Sequence, residues 1–478
     1  MQNEHLSHMK LTLTTILFSI FSILSSAQFP YTQNSYSSAL TNSDIVYGID
    51  TNFAAQPDTL LLDIYKPIGD SNCQKPILIL VHGGSWIAGS KNDPNIEFLA
   101  EDFAKKGYVV AAINYRLGMH VISNYSMYWA CNTSISAPCA YITDSSEIIR
   151  AIYRGMQDTK AAVRFMKGRA QVDSTDINNV YLAGESAGGF IVLAAAYLRD
   201  EVQKPADCFS LNPSATPDPD LLTCLPDSFS LDRPDLGSID GDLNVQSGNS
   251  KIKGVANFYG GMLDLSLLNN STDKPAIYQF HQGSDVVVDY QYNRILGRIN
   301  WECFAPTNVC QPYPNMPFAY GSKSIYNHLV AMGSQSPLYL TEIVSNYNYM
   351  NDCFANGHSI DNVTMRSSNL AAFFSGVILS SGNNPPMNCS LISVPEISQK
   401  DFSIYPVPAR DRISINYSSS IHLEKIIWKD VVGKEIGLEI INGRIAEILS
   451  PANAVSGLYF LELHCREGKV TKKIFIGR

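Results

Sequence analysis

Two short stretches of the 478-residue chain combine residue types suited to nucleophilic acyl transfer. The denser is Gly184-Glu185-Ser186-Ala187-Gly188-Gly189, directly after the apolar run Asn179–Ala183. A G-x-S-x-G turn between a strand and a helix puts the serine on a sharp bend, and its glycines let two chain segments pass closely. The Ser186 hydroxyl would stand at a sheet's C-terminal edge and at a helix N-terminus, where the helix dipole favours developing negative charge. The second stretch is His82-Gly83-Gly84-Ser85-Trp86, after the run Ile77–Val81. Small residues there let backbone N–H groups point into a site and meet an oxyanion. The natural donors are Gly84 and Ser85, with Ala187 just after the nucleophile; Gly83 is the second choice. His82 is on the wrong loop for a base and reads as a brace for that loop.

A serine nucleophile needs a base, and the base needs an orienting acid. On sheets with this elbow the chain order is Ser, then acid, then His. Of the nine histidines, only His328 and His358 lie between the elbow's following strands and the C-terminal region. His328 falls in a helical pattern, Ser324–Met332. His358 lies in the loop Asn356-Gly357-His358, after the last apolar run and before the helix Leu370–Leu379, and is the expected base. The acid should follow the preceding strand. Ala276–His281 leads into Gln282-Gly283-Ser284-Asp285, so Asp285 is the expected acid and Asp289 the alternative. No Cys/His cluster has zinc-ligand spacing, and the chemistry requires no metal or organic cofactor.

Such residues must be positioned by a rigid frame. β-branched-rich apolar runs at Leu60–Tyr65, Ile77–His82, Tyr108–Tyr115, Asn179–Gly184, Gly254–Tyr259, Ala276–His281 and Pro337–Val344 read as buried strands. Helical patterns at Asn95–Lys106, Ala151–Arg169 and Ser186–Leu198 lie between them. The alternation implies right-handed crossovers, an α/β class and a mostly parallel sheet with helices on both faces. Three long insertions, Met119–Ser146, Pro205–Asn249 and Asn300–Tyr320, interrupt it. The first holds Tyr125, Tyr128 and Trp129, which could form an aromatic cleft wall or pack as a surface loop.

The chain carries 35 basic and 44 acidic side chains, for a net charge of −9. That lacks the basic excess of a nucleic-acid binder. Forty-five per cent apolar residues suffice for a sizeable core. From Phe402 onward, however, 11 Lys and Arg face 8 Asp and Glu, a reversal of sign that marks a separate unit. Leu11–Leu24, preceded by Lys10 and followed by Ser25-Ser26-Ala27, reads as a secretory signal over residues 1–27, too short for a stable membrane span. Ten cysteines suit export, with locally spaced pairs Cys131/Cys139, Cys208/Cys224 and Cys303/Cys310, one per insertion. The segmentation is thus a signal (1–27), a catalytic α/β domain (28–380), a linker around Pro385–Pro386 (381–401) and a small all-β sandwich (402–478). The sandwich is anticipated from alternating segments such as Ile413–Tyr417, Leu423–Trp428 and Leu458–His464.

Pro76–Lys91, Val109–Gly118 (VVAAINYRLG), Gly155–Phe165 and Leu182–Phe190 resemble an α/β-hydrolase of the carboxylesterase/lipase superfamily. GESAGG, NYRLG and the Gln157-Asp158 helix are similar to type B carboxylesterases in particular, over roughly Leu60–Leu379. The resemblance implies carboxylic-ester hydrolysis by Ser186, His358 and Asp285, through an acyl-enzyme, with an oxyanion hole at Gly84, Ser85 and Ala187. Type B enzymes usually carry Glu as the acid; the Asp in QGSDVVV resembles smaller bacterial esterases, and HGGSW has Ser where many relatives have a third Gly or Ala. A peptidase or amidase on the same triad is the second reading, and a non-catalytic adhesion protein the third. Acetylated or feruloylated polysaccharide, short-chain lipid and polyester are all open as substrates. In the tail, Ser403–Ala409 (SIYPVPA), Asp430–Lys434 (DVVGK), Ser456–Leu461 (SGLYFL) and Lys472-Lys473-Ile474 resemble the C-terminal sorting domain of the type IX secretion system. That implies passage across the outer membrane through this machinery, then release or surface attachment.

Overall fold

The computed structural model describes residues 30–120, 144–211, 214–215, 229–269, 273–298, 316–344, 357–380, 401–417, 421–440, 447–451, 454–465 and 468–477. The expected signal, the linker, the Tyr125–Trp129 cluster and the Cys131/Cys139 and Cys303/Cys310 pairs lie outside these residues. The chain divides into two compact units, up to Asn388 and from Cys389.

The first unit is built on one eight-stranded sheet. Its strands are β1 (Ser37–Thr51), β2 (Pro57–Ile68), β3 (Lys75–Val81), β4 (Val109–Ile113), β5 (Thr175–Glu185), β6 (Gly254–Phe258), β7 (Ala276–Gln282) and β8 (Tyr339–Val344), in the order β1-β2-β4-β3-β5-β6-β7-β8. β1 and β2 are antiparallel to their neighbours; from β4 onward every pairing is parallel. Parallel strands need crossovers, supplied here by helices α1 (Pro94–Lys105), α2 (Ser145–Gly168), α3 (Ala187–Tyr197) and α4 (Ser322–Met332); α5 (Val363–Ser380) follows the last strand.

The period of two along a strand divides the core in two. In the fully buried β3, Ile77, Ile79 and Val81 join the cluster that α2 and α3 cover. Leu78 and Leu80 join the cluster with Phe103 of α1 and Phe374 of α5 on the opposite face. A strand covered on both faces reads as an unbroken apolar run. The central strands meet that rule; β1, largely exposed, does not.

The loop after β4 is tied to α2 by a buried ion pair. Arg116 meets Asp158 at 2.8 Å, and its backbone N–H donates to the same carboxylate at 2.7 Å. The guanidinium also donates to Gln157 Oε1. The NYRLG and Gln157-Asp158 segments are thus two sides of one contact.

One cysteine expectation is overturned. Cys208 is a free thiol in the core under α2, so the Cys208/Cys224 bridge is absent. Burial pushes the thiol up to about 12, although Arg150 opposes the shift. Cys73, for which the sequence suggests no partner, is disulfide-bonded.

The second unit has a three-stranded sheet of β9 (Phe402–Tyr405), β10 (Arg412–Tyr417) and β13 (Glu447–Leu449). Its four-stranded sheet runs β12-β11-β14-β15, from Glu435–Ile440, Leu423–Lys429, Gly457–Cys465 and Gly468–Ile476 respectively. All pairings are antiparallel. Phe402, Ile413, Trp428, Leu461 and Ile474 belong to its own core.

Candidate active site

Ser186 sits between the end of β5 and the start of α3 with φ 52° and ψ −119°. A non-glycine residue there is strained, and the strain persists only because its surroundings fix it. The Ser186 N–H donates to Phe258 O at the end of β6, and Ser186 O accepts from Gly189 N. Gly188 allows the crossing, because a Cβ there would lie 2.6 Å from His82 O on the neighbouring loop. The hydroxyl is thereby raised at the C-terminal ends of the strands, where open α/β sheets bind ligands.

His358 and Asp285 meet it from two later loops. Ser186 Oγ lies 2.7 Å from His358 Nε2, and His358 Nδ1 lies 2.8 Å from Asp285 Oδ2. Because a carboxylate faces Nδ1, that nitrogen carries the proton, and Nε2 accepts from the serine hydroxyl. Asp285 is fully buried at the turn after β7. Its other oxygen accepts from the backbone N–H groups of Val287 and Val288 at 2.8 and 3.0 Å. Burial pushes this carboxyl up, but the imidazoles of His358 and His281 outweigh it and hold the pKa at about 2.

The alternatives lie elsewhere. Asp289 accepts from Gln291 N and Asn293 Nδ2, and His328 is a half-buried residue of α4 beside Asn269. The fully buried His82 points Nδ1 at Gly83 O, 2.7 Å away, and stacks on Tyr115 at 4.5 Å. Burial pushes its pKa down, so the ring is neutral and Nδ1–H is the donor. Ser85 and Ala187 line a cleft of about 290 Å³ with Ser186, together with Trp86, Phe190 and Met316. Gly84 lies one residue behind, its carbonyl accepting from Ile87 and Ala88 N–H.

Two sets of supporting residues were not anticipated. Behind Asp285, His281 Nε2 faces Asp285 Oδ2 at 3.1 Å and Val288 O at 2.9 Å, while Nδ1 faces Ser322 Oγ at 3.0 Å. Two acceptors at Nε2 fix the proton there, so Nδ1 accepts from Ser322. Asn257 Nδ2 donates weakly to Ser322 Oγ at 3.4 Å. Beside Ser186, Glu185 Oε2 accepts from Tyr259 OH at 2.6 Å and Asn95 Nδ2 at 3.0 Å. The Tyr259 ring meets His358 edge-on at 4.8 Å. Burial, reinforced by Glu185, raises the phenol well above its ordinary value and keeps it a donor. A sequence signal existed for Glu185, the residue preceding the nucleophile. For His281 and Ser322 there was none, since chain order excludes His281 as base and says nothing of a role behind the acid.

A serine elbow on a mostly parallel eight-stranded sheet, met by an aspartate and a histidine from later loops, is an α/β-hydrolase fold. The chain matches the BD-FAE family over residues 62–135 and 151–283, and the secretion system C-terminal sorting domain over residues 403–477. The first match ends before Asp285 and His358, whose assignment rests on geometry. Gut esterase 1 of Caenorhabditis elegans is 28% identical over 151 residues, 31% of this chain and 23% of that protein. Carboxylesterase 3B of Mus musculus is 30% identical over 145 residues, 29% of this chain and 21% of that protein. The chain thus spans less than a quarter of the length of these relatives. Thermogutta terrifontis esterase 2 superposes with a TM-score of 0.39 at 14% identity, covering 73% of this chain and 98% of that one.

Proposed function

We propose that the protein is an exported serine carboxylic-ester hydrolase acting through an acyl-enzyme on Ser186. The observation that carries this reading is the unbroken contact from Ser186 Oγ to His358 Nε2 (2.7 Å) and from His358 Nδ1 to Asp285 Oδ2 (2.8 Å). His358 takes the serine proton as Oγ attacks the ester carbonyl. The backbone N–H groups of Ser85 and Ala187, with Gly84 behind them, receive the oxyanion; each aligned donor contributes roughly 10²–10³ in rate. His358 then returns its proton to the departing alcohol, and water repeats the sequence on the acyl-enzyme. Asp285 holds the tautomer and stabilises the imidazolium without taking the proton. The relatives' esterase names and the BD-FAE match support ester chemistry, and the sorting domain supports export to the cell surface or medium through type IX machinery.

Ser186→Ala should abolish p-nitrophenyl acetate hydrolysis and labelling by a fluorophosphonate while leaving the circular dichroism spectrum unchanged. Retained turnover refutes the nucleophile, and an unlabelled folded wild type favours the adhesion reading. Asp285→Asn should lower kcat by about 10⁴, as expected when the wrong tautomer is held. Asp289→Asn should leave it near wild type; the reverse pattern assigns the acid to Asp289.

A further inference from the structure

We propose that Phe190 sets acyl-chain specificity: it is the wall between the catalytic cleft and a larger apolar cavity, and it confines the acyl group on Ser186 to a few carbons. This rests on the ester-hydrolase reading.

The cleft of about 290 Å³ is walled by Trp86, Phe190, Val288, Ile295 and Met316, around Ser186 and the backbone donors. No charged side chain lines it among the described residues. Away from Ser85, Ser186 and the backbone donors its walls are apolar, which suits the hydrocarbon of an acyl group.

A second cavity, of about 790 Å³, lies against α2 and α3 and is lined by Ile152, Met156, Leu193, Leu198, Met262 and Leu267 among others. Among the described residues, Phe190 alone lines both spaces. It stands one helical turn after Ser186 and is 2% exposed. The ring is fixed from two sides. Trp86 meets it edge-on at 5.5 Å, and the bare backbone of Gly261 makes room for it, since a Cβ there would lie 3.2 Å from Phe190 Cζ. A ring held in that way is a partition, and its removal would open the larger cavity to the acyl chain.

The test compares kcat/KM for p-nitrophenyl acetate, butyrate and octanoate in the full chain. Wild type should prefer acetate, with octanoate poorest. Phe190→Ala should raise the octanoate-to-acetate ratio at least tenfold, because each accommodated methylene contributes discrimination of roughly tenfold or more. Adding Leu193→Phe, which refills only the second cavity, should remove most of that gain. Phe190→Leu should shift the ratio less, in the same direction, and gives the readout should the alanine variant not fold. Fluorophosphonate labelling counts competent sites in each variant. A wild type that takes octanoate as readily as acetate overturns the proposal, as does an unchanged ratio in labelled variants. A wild type that hydrolyses no ester fails the ester-hydrolase reading itself.

Discussion

The carboxylate of Asp285 serves two imidazoles through one oxygen, and this distinguishes the site from a three-residue relay. His358 and His281 both donate to Oδ2, at 2.8 and 3.1 Å, while Oδ1 is held by two backbone amides. The other polar groups around this pair are Arg298, whose Nη1 donates to Asp285 O, Ser322 behind His281, and Tyr259 with Glu185 beside His358. A donor on Oδ2 both fixes the carboxylate and draws charge from the atom that faces His358. His281→Leu should therefore lower kcat/KM for acetate by about tenfold or more, the scale of one hydrogen bond to a buried charge. It should also move the acid limb of the pH–rate profile to higher pH, since an unshared carboxylate better stabilises the imidazolium. His281→Gln, which keeps an N–H donor, should recover much of both effects. An unshifted acid limb in His281→Leu would reduce His281 to a packing residue.

At the scale of elements, the central frame was legible because burial on both faces leaves an unmistakable pattern: β3, β4 and β6 are buried along their whole length. β1 was not, because an edge strand with bulges and exposed side chains carries polar residues such as Ser37, Thr41, Asn42 and Asp44 in no alternation. The elbow, and the loops from which Asp285 and His358 meet Ser186, were readable because strain and topology demand particular residues at particular junctions. The brace from Ser322 was not, because it comes from the start of a helix remote in sequence. Asp158 lies between these cases. The Gln157-Asp158 helix was noticed by resemblance, and the structure gives the physical reason in the buried pair with Arg116. Asp158 has no exposure and Arg116 only 5%. Truncating one partner strands a buried charge, which costs about 3–5 kcal/mol. Asp158→Ala should thus lower unfolding stability by that amount, measured by denaturant titration. A loss below 1 kcal/mol would mean that water or Asp50, 2.9 Å from Arg116, takes over the charge.

The whole molecule holds two units with separate cores, and their acid sensitivities can be read independently. In the first, the folded pKa of Asp285 is about 2, below its ordinary 3.8. In the second, Glu462 of β14 lies 2.8 Å from Lys469 and 3.1 Å from Lys429. Burial pushes its carboxyl up, but these lysines and His464 outweigh the burial and bring the pKa from 4.5 to about 2. A carboxylate depressed on folding contributes stability that is fully present above its unfolded pKa and is lost as pH falls through the folded one. The first unit should therefore lose this stability between about pH 3.8 and 2, and the second between about pH 4.5 and 2. Glu462→Gln separates them. Calorimetry at pH 6 should show two transitions, with the variant lowering one and leaving the other in place. Near pH 2 the variant and wild type should approach each other, because the native carboxylate is by then about half protonated and most of its contribution is lost. Hydrolysis of p-nitrophenyl acetate at pH 7 should be unchanged, since Ser186, His358 and Asp285 belong to the first unit. A single transition that moves as a whole, or a fall in activity, would show that the two units fold as one.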